Sequence, residues 1–200
     1  MNKLFLVLPL LAANAFAQTT YRIVGDIDSI QGTNLFELDC TRIRLVSNSV
    51  NLQALHDASR QQDIEYDMQV TDVSSGGLTI LNVLSATAVP EQFNMGNLRF
   101  GRTETWDLFG TVGSAYQTWL TTRNATTFLP LPAFGNAWFM GPTGVPVFQG
   151  VMNQSFIQWG FQMPTIPALV GVEFSAQTIL VSPSNVVSLT NPDCRVVRNN

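Results

Sequence analysis

The stretch from residue 124 to residue 172 contains no charged side chain and is interrupted repeatedly by proline and glycine. No apolar stripe recurs there every three to four residues, so an amphipathic helix is not predicted. Short apolar runs bounded by Gly, Pro or Asn are instead typical of short β-strands. We predict strands in the C-terminal half at residues 109–112, 115–121, 137–140, 145–148, 156–161, 172–180 and 186–189. This half is therefore expected to form an antiparallel β-sandwich.

The N-terminal half has a different pattern. Residues 21–30 and 63–70 alternate between two faces, and apolar runs at 35–38, 42–46 and 78–86 predict three further strands. A short helix through Arg60, capped by Ser49 or Asn51, separates the third strand from the fourth. Three strands, a helix and two strands are the element order of a five-stranded OB-like barrel. The fold class predicted is thus mainly β, an OB-like barrel with one short helix followed by a sandwich.

Charge divides the chain at the same place. Residues 18–92 contain four Arg and ten acidic residues, a net charge of −6, whereas residues 93–200 contain five Arg and four acidic residues, a net charge of +1. Residues 89–92 include a proline and read as a connector. We therefore predict an OB-like domain over 18–92 and a β-sandwich domain over 93–200.

The first residues have the pattern of an export signal. Lys3 precedes an apolar run over residues 4–13, and Ala15-Phe16-Ala17 is a small-x-small cleavage site. Residues 1–17 are therefore predicted to be a signal peptide cleaved between Ala17 and Gln18. No later apolar run is long enough for a transmembrane anchor. The mature chain is expected in the periplasm, on the cell surface or in the medium.

Three segments of the second half carry a resemblance to a known family. They are residues 98–101, residues 130–137 and the proline-framed segment 164–177. Together they resemble an uncharacterised secreted β-sandwich module of planctomycete-type and myxobacterial proteins, over about residues 93–200. The resemblance implies a β-sandwich and export, and it implies no catalytic residue.

Cys40 and Cys194 are the only cysteines of the chain. In an oxidising compartment they could form one disulfide that ties the C-terminus to the first third of the chain. The alternative is two buried free thiols.

Residues that could support catalysis are scarce. His56 is the only histidine, no Gly-x-Ser-x-Gly motif is present, and the only lysine lies in the predicted signal peptide. One histidine and two distant cysteines are too few ligands for a zinc site. We expect His56 to be an exposed helical residue and the protein to have no catalytic residues, no metal and no cofactor.

Acidic residues at alternate positions have two interpretations, a calcium site or a solvated strand face. Asp26 and Asp28 share one strand face, and Asp63, Glu65 and Asp67 share another. Adjacent strands would bring these carboxylates together for Ca²⁺, whereas a solvated acidic face explains the same pattern. Such a face repels phosphates, so the OB-like half is not expected to bind nucleic acid.

Tryptophans are the remaining candidates. All four lie in the second half, and exposed indole rings would stack on sugar rings, whereas large aromatic residues more commonly fill a sandwich core. The candidate ligand-binding residues are Trp106, Trp119, Trp138 and Trp159. The expected function is a non-enzymatic envelope or extracellular protein that contacts polysaccharide or other surface or secreted proteins. The alternative is a small secreted carbohydrate-active hydrolase that uses carboxylates.

Overall fold

A computed structural model of the chain describes residues 19–62 and 64–199. The predicted signal peptide and its cleavage site lie outside the described residues, as does Asp63. Over the described residues 19–62 and 64–92, the first half contains six strands and one α-helix, which is one strand more than predicted before the helix. These are β1 (Thr20–Gly25), β2 (Ile27–Ser29), β3 (Phe36–Leu38), β4 (Arg44–Val46), α1 (Leu52–Gln62), β5 (Glu65–Asp72) and β6 (Ile80–Val89).

The strands of the first half pair in one continuous path. β1 is antiparallel to β5, β5 to β6, β4 to β3 and β3 to β2, while β6 and β4 are parallel. Asp26 separates β1 from β2, so the first predicted strand is divided into two strands. In the order β1-β5-β6-β4-β3-β2 these two strands lie at opposite ends. The OB-like arrangement is present, but the barrel is not closed.

Helix α1 begins where its sequence predicts. The Asn51 side chain accepts a hydrogen bond from the Ala54 amide at 3.1 Å, which satisfies an amide of the first turn. Leu52 and Ser59 are buried, and the Tyr66 hydroxyl donates to the Leu55 carbonyl at 3.0 Å. These contacts fix the helix against the sheet.

The second half, over residues 93–199, forms ten strands and three short 3-10 helices joined by loops. Its strands are β7 (Phe93–Met95), β8 (Thr103–Phe109), β9 (Ala115–Thr122), β10 (Leu129–Leu131), β11 (Asn136–Trp138), β12 (Val145–Val151), β13 (Phe156–Gln162), β14 (Glu173–Val181), β15 (Val187–Leu189) and β16 (Asp193–Val196). The strand predicted at 109–112 is wrong, because β8 ends at Phe109 and Gly113, at φ +84, belongs to the turn before β9.

Two sheets of this half pack as a sandwich. One has the order β13-β8-β7, and the other has the order β12-β9-β14-β15 with β16 also paired to β14. Trp106 and Leu108 of the first sheet and Leu120 and Leu180 of the second lie in a common core. Burial of these large apolar side chains stabilises the contact between the sheets.

Two strands of the second half join the sheet of the first half. β11 is parallel to β1, with Arg22 opposite Asn136, and β10 is antiparallel to β11. Ala137, Trp138 and Phe139 accordingly lie in the core of the first half. The division into 18–92 and 93–200 stays a prediction, but the sheet extends across it.

Cys40 and Cys194 form a disulfide, with their Cα atoms 5.1 Å apart. This confirms the bridged alternative. Among residues 19–62 and 64–199, no helix has the length and apolar character needed to cross a membrane.

Candidate functional site

Two of the four candidate tryptophans are core residues. Trp106 has no exposed surface and Trp138 is 7% exposed. Trp106 packs against Phe161 with ring centroids 4.7 Å apart, and Trp138 meets Trp119 edge to face at 5.8 Å. Of the two alternatives for these residues, filling of the core therefore describes Trp106 and Trp138, and neither indole is available for stacking on a ligand.

The other two tryptophans are half-buried. Trp159 lies parallel to Phe148 at 4.8 Å, and its indole N–H donates to the Tyr116 hydroxyl at 3.1 Å. Trp119 is packed against the first core. Aromatic neighbours thus occupy ring faces of Trp159 that a sugar would need.

Exposed aromatic rings lie instead on the other side of the β13-β8-β7 sheet. Phe109 and Phe156 are opposite one another in the β8–β13 register, with ring centroids 4.9 Å apart. They are 42% and 37% exposed. Alternation along β8 buries Trp106 and Leu108 and turns the odd-numbered residues outward. Phe109, at the end of the strand, is therefore directed to solvent.

A polar row crosses the same sheet beside this pair. Gln158 lies opposite Asp107, and its side-chain amide donates to the Asp107 carboxylate at 2.8 Å. Asn94 is the next residue across the sheet, and it donates to both carboxylate oxygens of Glu91 at 3.1 and 3.2 Å. We call this surface the outer face; it comprises Phe109, Phe156, Asp107, Gln158, Asn94, Thr105 and Gly160.

A glycine lies within the outer face, and a cleft borders this face. Gly160 lies opposite Thr105, and the Thr103 methyl group is 3.0 Å from the position that a Cβ of Gly160 would occupy. Next to Phe109 is a surface cleft of about 420 Å³, lined by Pro90, Glu91, Gln92, Phe109 and Gly110. Apolar ring faces beside amide and carboxylate groups can contact both the C–H surfaces and the hydroxyls of a sugar.

The predicted acidic clusters are divided among different partners. Asp67 forms an ion pair with Arg22 at 2.9 Å, and Asp28 forms one with Arg60 at 2.7 Å. Within the described residues, three potential metal ligands converge only at Asp39, Cys40 and Cys194. The two sulfur atoms of that group are bonded to each other, so it does not offer three free ligands.

The carboxyl group of Glu65 is buried near other acidic residues, whereas the sequence predicted a calcium site or a solvated acidic face at this position. Burial, and to a smaller extent the charges of Asp26, Glu91 and Asp193, together raise the pKa of Glu65 to about 9. Its Oε2 atom is buried without a hydrogen-bond partner. Burial also raises the pKa of Asp193 to about 6, although Arg195 opposes that shift. Glu65 is therefore protonated at neutral pH.

Arg123 links the two halves of the chain through ion pairs with two glutamates. Arg123 forms ion pairs with Glu37 and, at 3.2 Å, with Glu173. Its Nε also donates to the Thr41 carbonyl at 3.2 Å. Burial raises the pKa of Glu37, and the Arg123 charge opposes that rise. Such a bridge needs distant residues to meet, so no local sequence pattern reveals it.

His56 has a structural contact. Its Nδ1 lies 2.8 Å from the Ile27 carbonyl oxygen, and its ring is 6.3 Å from that of Phe36. His56 was expected to be exposed, but it is half-buried. Because the carbonyl can only accept, Nδ1 donates the hydrogen bond and orients the imidazole.

No protein-family model, curated protein or solved structure matches this chain.

Proposed function

We propose that this is an exported, non-enzymatic binding protein of the cell envelope or extracellular space, and that its outer face contacts polysaccharide. The exposed pair of Phe109 and Phe156 beside the Asp107–Gln158 hydrogen bond carries the proposal. An exposed sheet face suits an extended chain of sugar rings better than a deep pocket would. The Cys40–Cys194 disulfide supports an oxidising compartment.

The experiment is retention on insoluble polysaccharides, with chitin, cellulose and peptidoglycan as the probes. Phe109→Ala and Phe156→Ala should each weaken retention about 5- to 30-fold, the equivalent of roughly 1–2 kcal/mol. Phe134→Ala is the matched control, because Phe134 is 54% exposed in the turn before β11, a strand of a different sheet. Equal losses in all three variants, or no retention of the wild type on any probe, would contradict the proposal.

The alternative is a carbohydrate-active hydrolase that uses Asp107 and Glu91. One observation favours it: both carboxylates border the exposed aromatic pair, Asp107 on the outer face and Glu91 in the adjoining cleft. Asp107→Asn and Glu91→Gln would then each abolish release of reducing sugar by the wild type. The binding proposal expects no such release from the wild type and retention within a few-fold in both variants.

A further inference from the structure

β13 is a long edge strand without a charge. It spans seven residues and, in the part of the chain that the structure describes, pairs with β8 alone. All seven register positions match β8 without a shift, so the strand is regular along its length. An exposed edge of this kind presents unpaired backbone groups to any strand that can reach it.

The direction of those backbone groups follows from two hydrogen bonds. Gly110 donates to the Ser155 carbonyl at 3.0 Å, whereas Phe109 donates away from β13, to the Gln92 carbonyl at 2.9 Å. Backbone groups alternate in an antiparallel ladder, so the odd-numbered residues of β13 bond to β8. The free N–H and C=O groups are those of Phe156, Gln158, Gly160 and Gln162.

The neighbouring edge strand β12 has features that hinder pairing. Pro146 lacks an N–H donor, and the β12–β9 register shifts between Pro146 and Phe148. A proline and a bulge are common ways in which proteins protect an edge. β13 contains neither, and it has no charged residue at any of its positions.

We propose that two copies of this chain associate by antiparallel pairing of β13 with β13, about a two-fold axis at Trp159. Trp159 is the central residue of the strand, so this register pairs all seven positions, with Phe156 opposite Gln162 of the second copy. An antiparallel strand is self-complementary under a two-fold axis. The chain has a net charge of −4 but no charge from residue 124 to residue 172, so two copies meet at this edge without like charges on the paired strands.

The pairing has a geometric consequence. This register places each even-numbered residue of β13 opposite an even-numbered residue of the second copy. Even-numbered residues face outward, so the outward side chains of both copies lie on the same side of the joined sheet. The two three-stranded sheets become one six-stranded sheet, and the two outer faces become a continuous surface. A ligand with repeating units could then contact both copies at once, which raises its apparent affinity. The pairing itself does not depend on what the outer face binds.

Sedimentation velocity over a range of protein concentrations tests the association. Gln158→Pro removes an outward N–H from each copy and leaves the bonds to β8 in place, so it should weaken dimerisation about tenfold or more. Gln158→Ala is the matched control, because it removes the same side-chain contact to Asp107 but keeps the N–H. A monomeric wild type up to high micromolar concentration, or equal dimerisation of all three proteins with unchanged circular dichroism, would overturn the proposal.

Disulfide trapping tests the register. Phe156→Cys and Gln162→Cys proteins should crosslink when mixed under mild oxidation, since opposite residues in such a pair have Cα atoms about 5.5 Å apart. Neither variant should crosslink alone, because like positions lie at opposite ends of the paired strands. Crosslinking of a single variant as efficient as that of the mixture would refute the Trp159 axis.

Discussion

Glu65→Gln should stabilise the protein, and increasingly so as pH rises. The pKa of Glu65 is about 9 in the folded chain, and its ordinary value is 4.5. Between these values the folded state holds a proton that the unfolded state has released, so the free energy of unfolding falls as pH rises. One pKa unit is worth 1.36 kcal/mol, and pH 7 lies about 2.5 units above the ordinary value. Glu65 therefore lowers stability at pH 7 by about 3 kcal/mol relative to pH 4.

The assay is urea unfolding of wild type and variant, with the disulfide intact, at several pH values between 4.5 and 8. The difference between the two proteins isolates Glu65, because other buried acids such as Asp193 contribute equally to both slopes. We expect the difference to grow with pH. Asp67→Asn is the control; Asp67 pairs with Arg22, and its loss should cost about 1 kcal/mol or less. A difference that does not change between pH 4.5 and 8 would refute the reasoning.

Intact mass of the exported protein should show an N-terminus at Gln18, and a mass that includes residues 1–17 would contradict the predicted cleavage. Cys194→Ala should lower the free energy of unfolding by about 2–5 kcal/mol in chemical denaturation, because the long loop it closes is then unconstrained. Limited proteolysis should leave residues 90–94 uncut in the folded protein, because the Gln92 and Phe93 amides both donate to Asn191 Oδ1 and Phe93 is buried; preferential cutting there, with fragments that stay joined until reduction, would instead support the division into 18–92 and 93–200. Arg123→Met should destabilise by about 2 kcal/mol in the same urea assay, since Glu37 and Glu173 lose their shared cation, and an unchanged midpoint would show that the bridge is not stabilising.

Sequence analysis found the parts of the fold that local chemistry determines. The Asn51 cap and the apolar positions of α1 are properties of a few adjacent residues, as is the alternation of apolar and polar residues in the strands of the first half. These local patterns are enough to predict the order of strands and helix there, apart from the break at Asp26. The placement of β10 and β11 could not be predicted in the same way. An uncharged run bounded by proline and glycine has the same pattern in either sheet. Contacts between residues distant in sequence, such as the pairing of Asn136 with Arg22 and the burial of Trp138 in the first core, distinguish the two placements.

The exposed aromatic pair was missed because the strand that carries Phe109 was placed too late in the sequence. Residues 103–109 alternate, with Trp106 and Leu108 on one face and Thr103, Thr105 and Asp107 on the other. This alternation places Trp106 on the buried face of the strand and Phe109 on the polar, solvent-facing side. An aromatic residue in a polar series is a stronger sign of a contact surface than a tryptophan in an apolar one, because burial already explains the latter. The same alternation in β13 exposes Phe156 and turns Trp159 inward, so the phase of each strand, and not the number of aromatic residues, indicates which rings are available to a ligand.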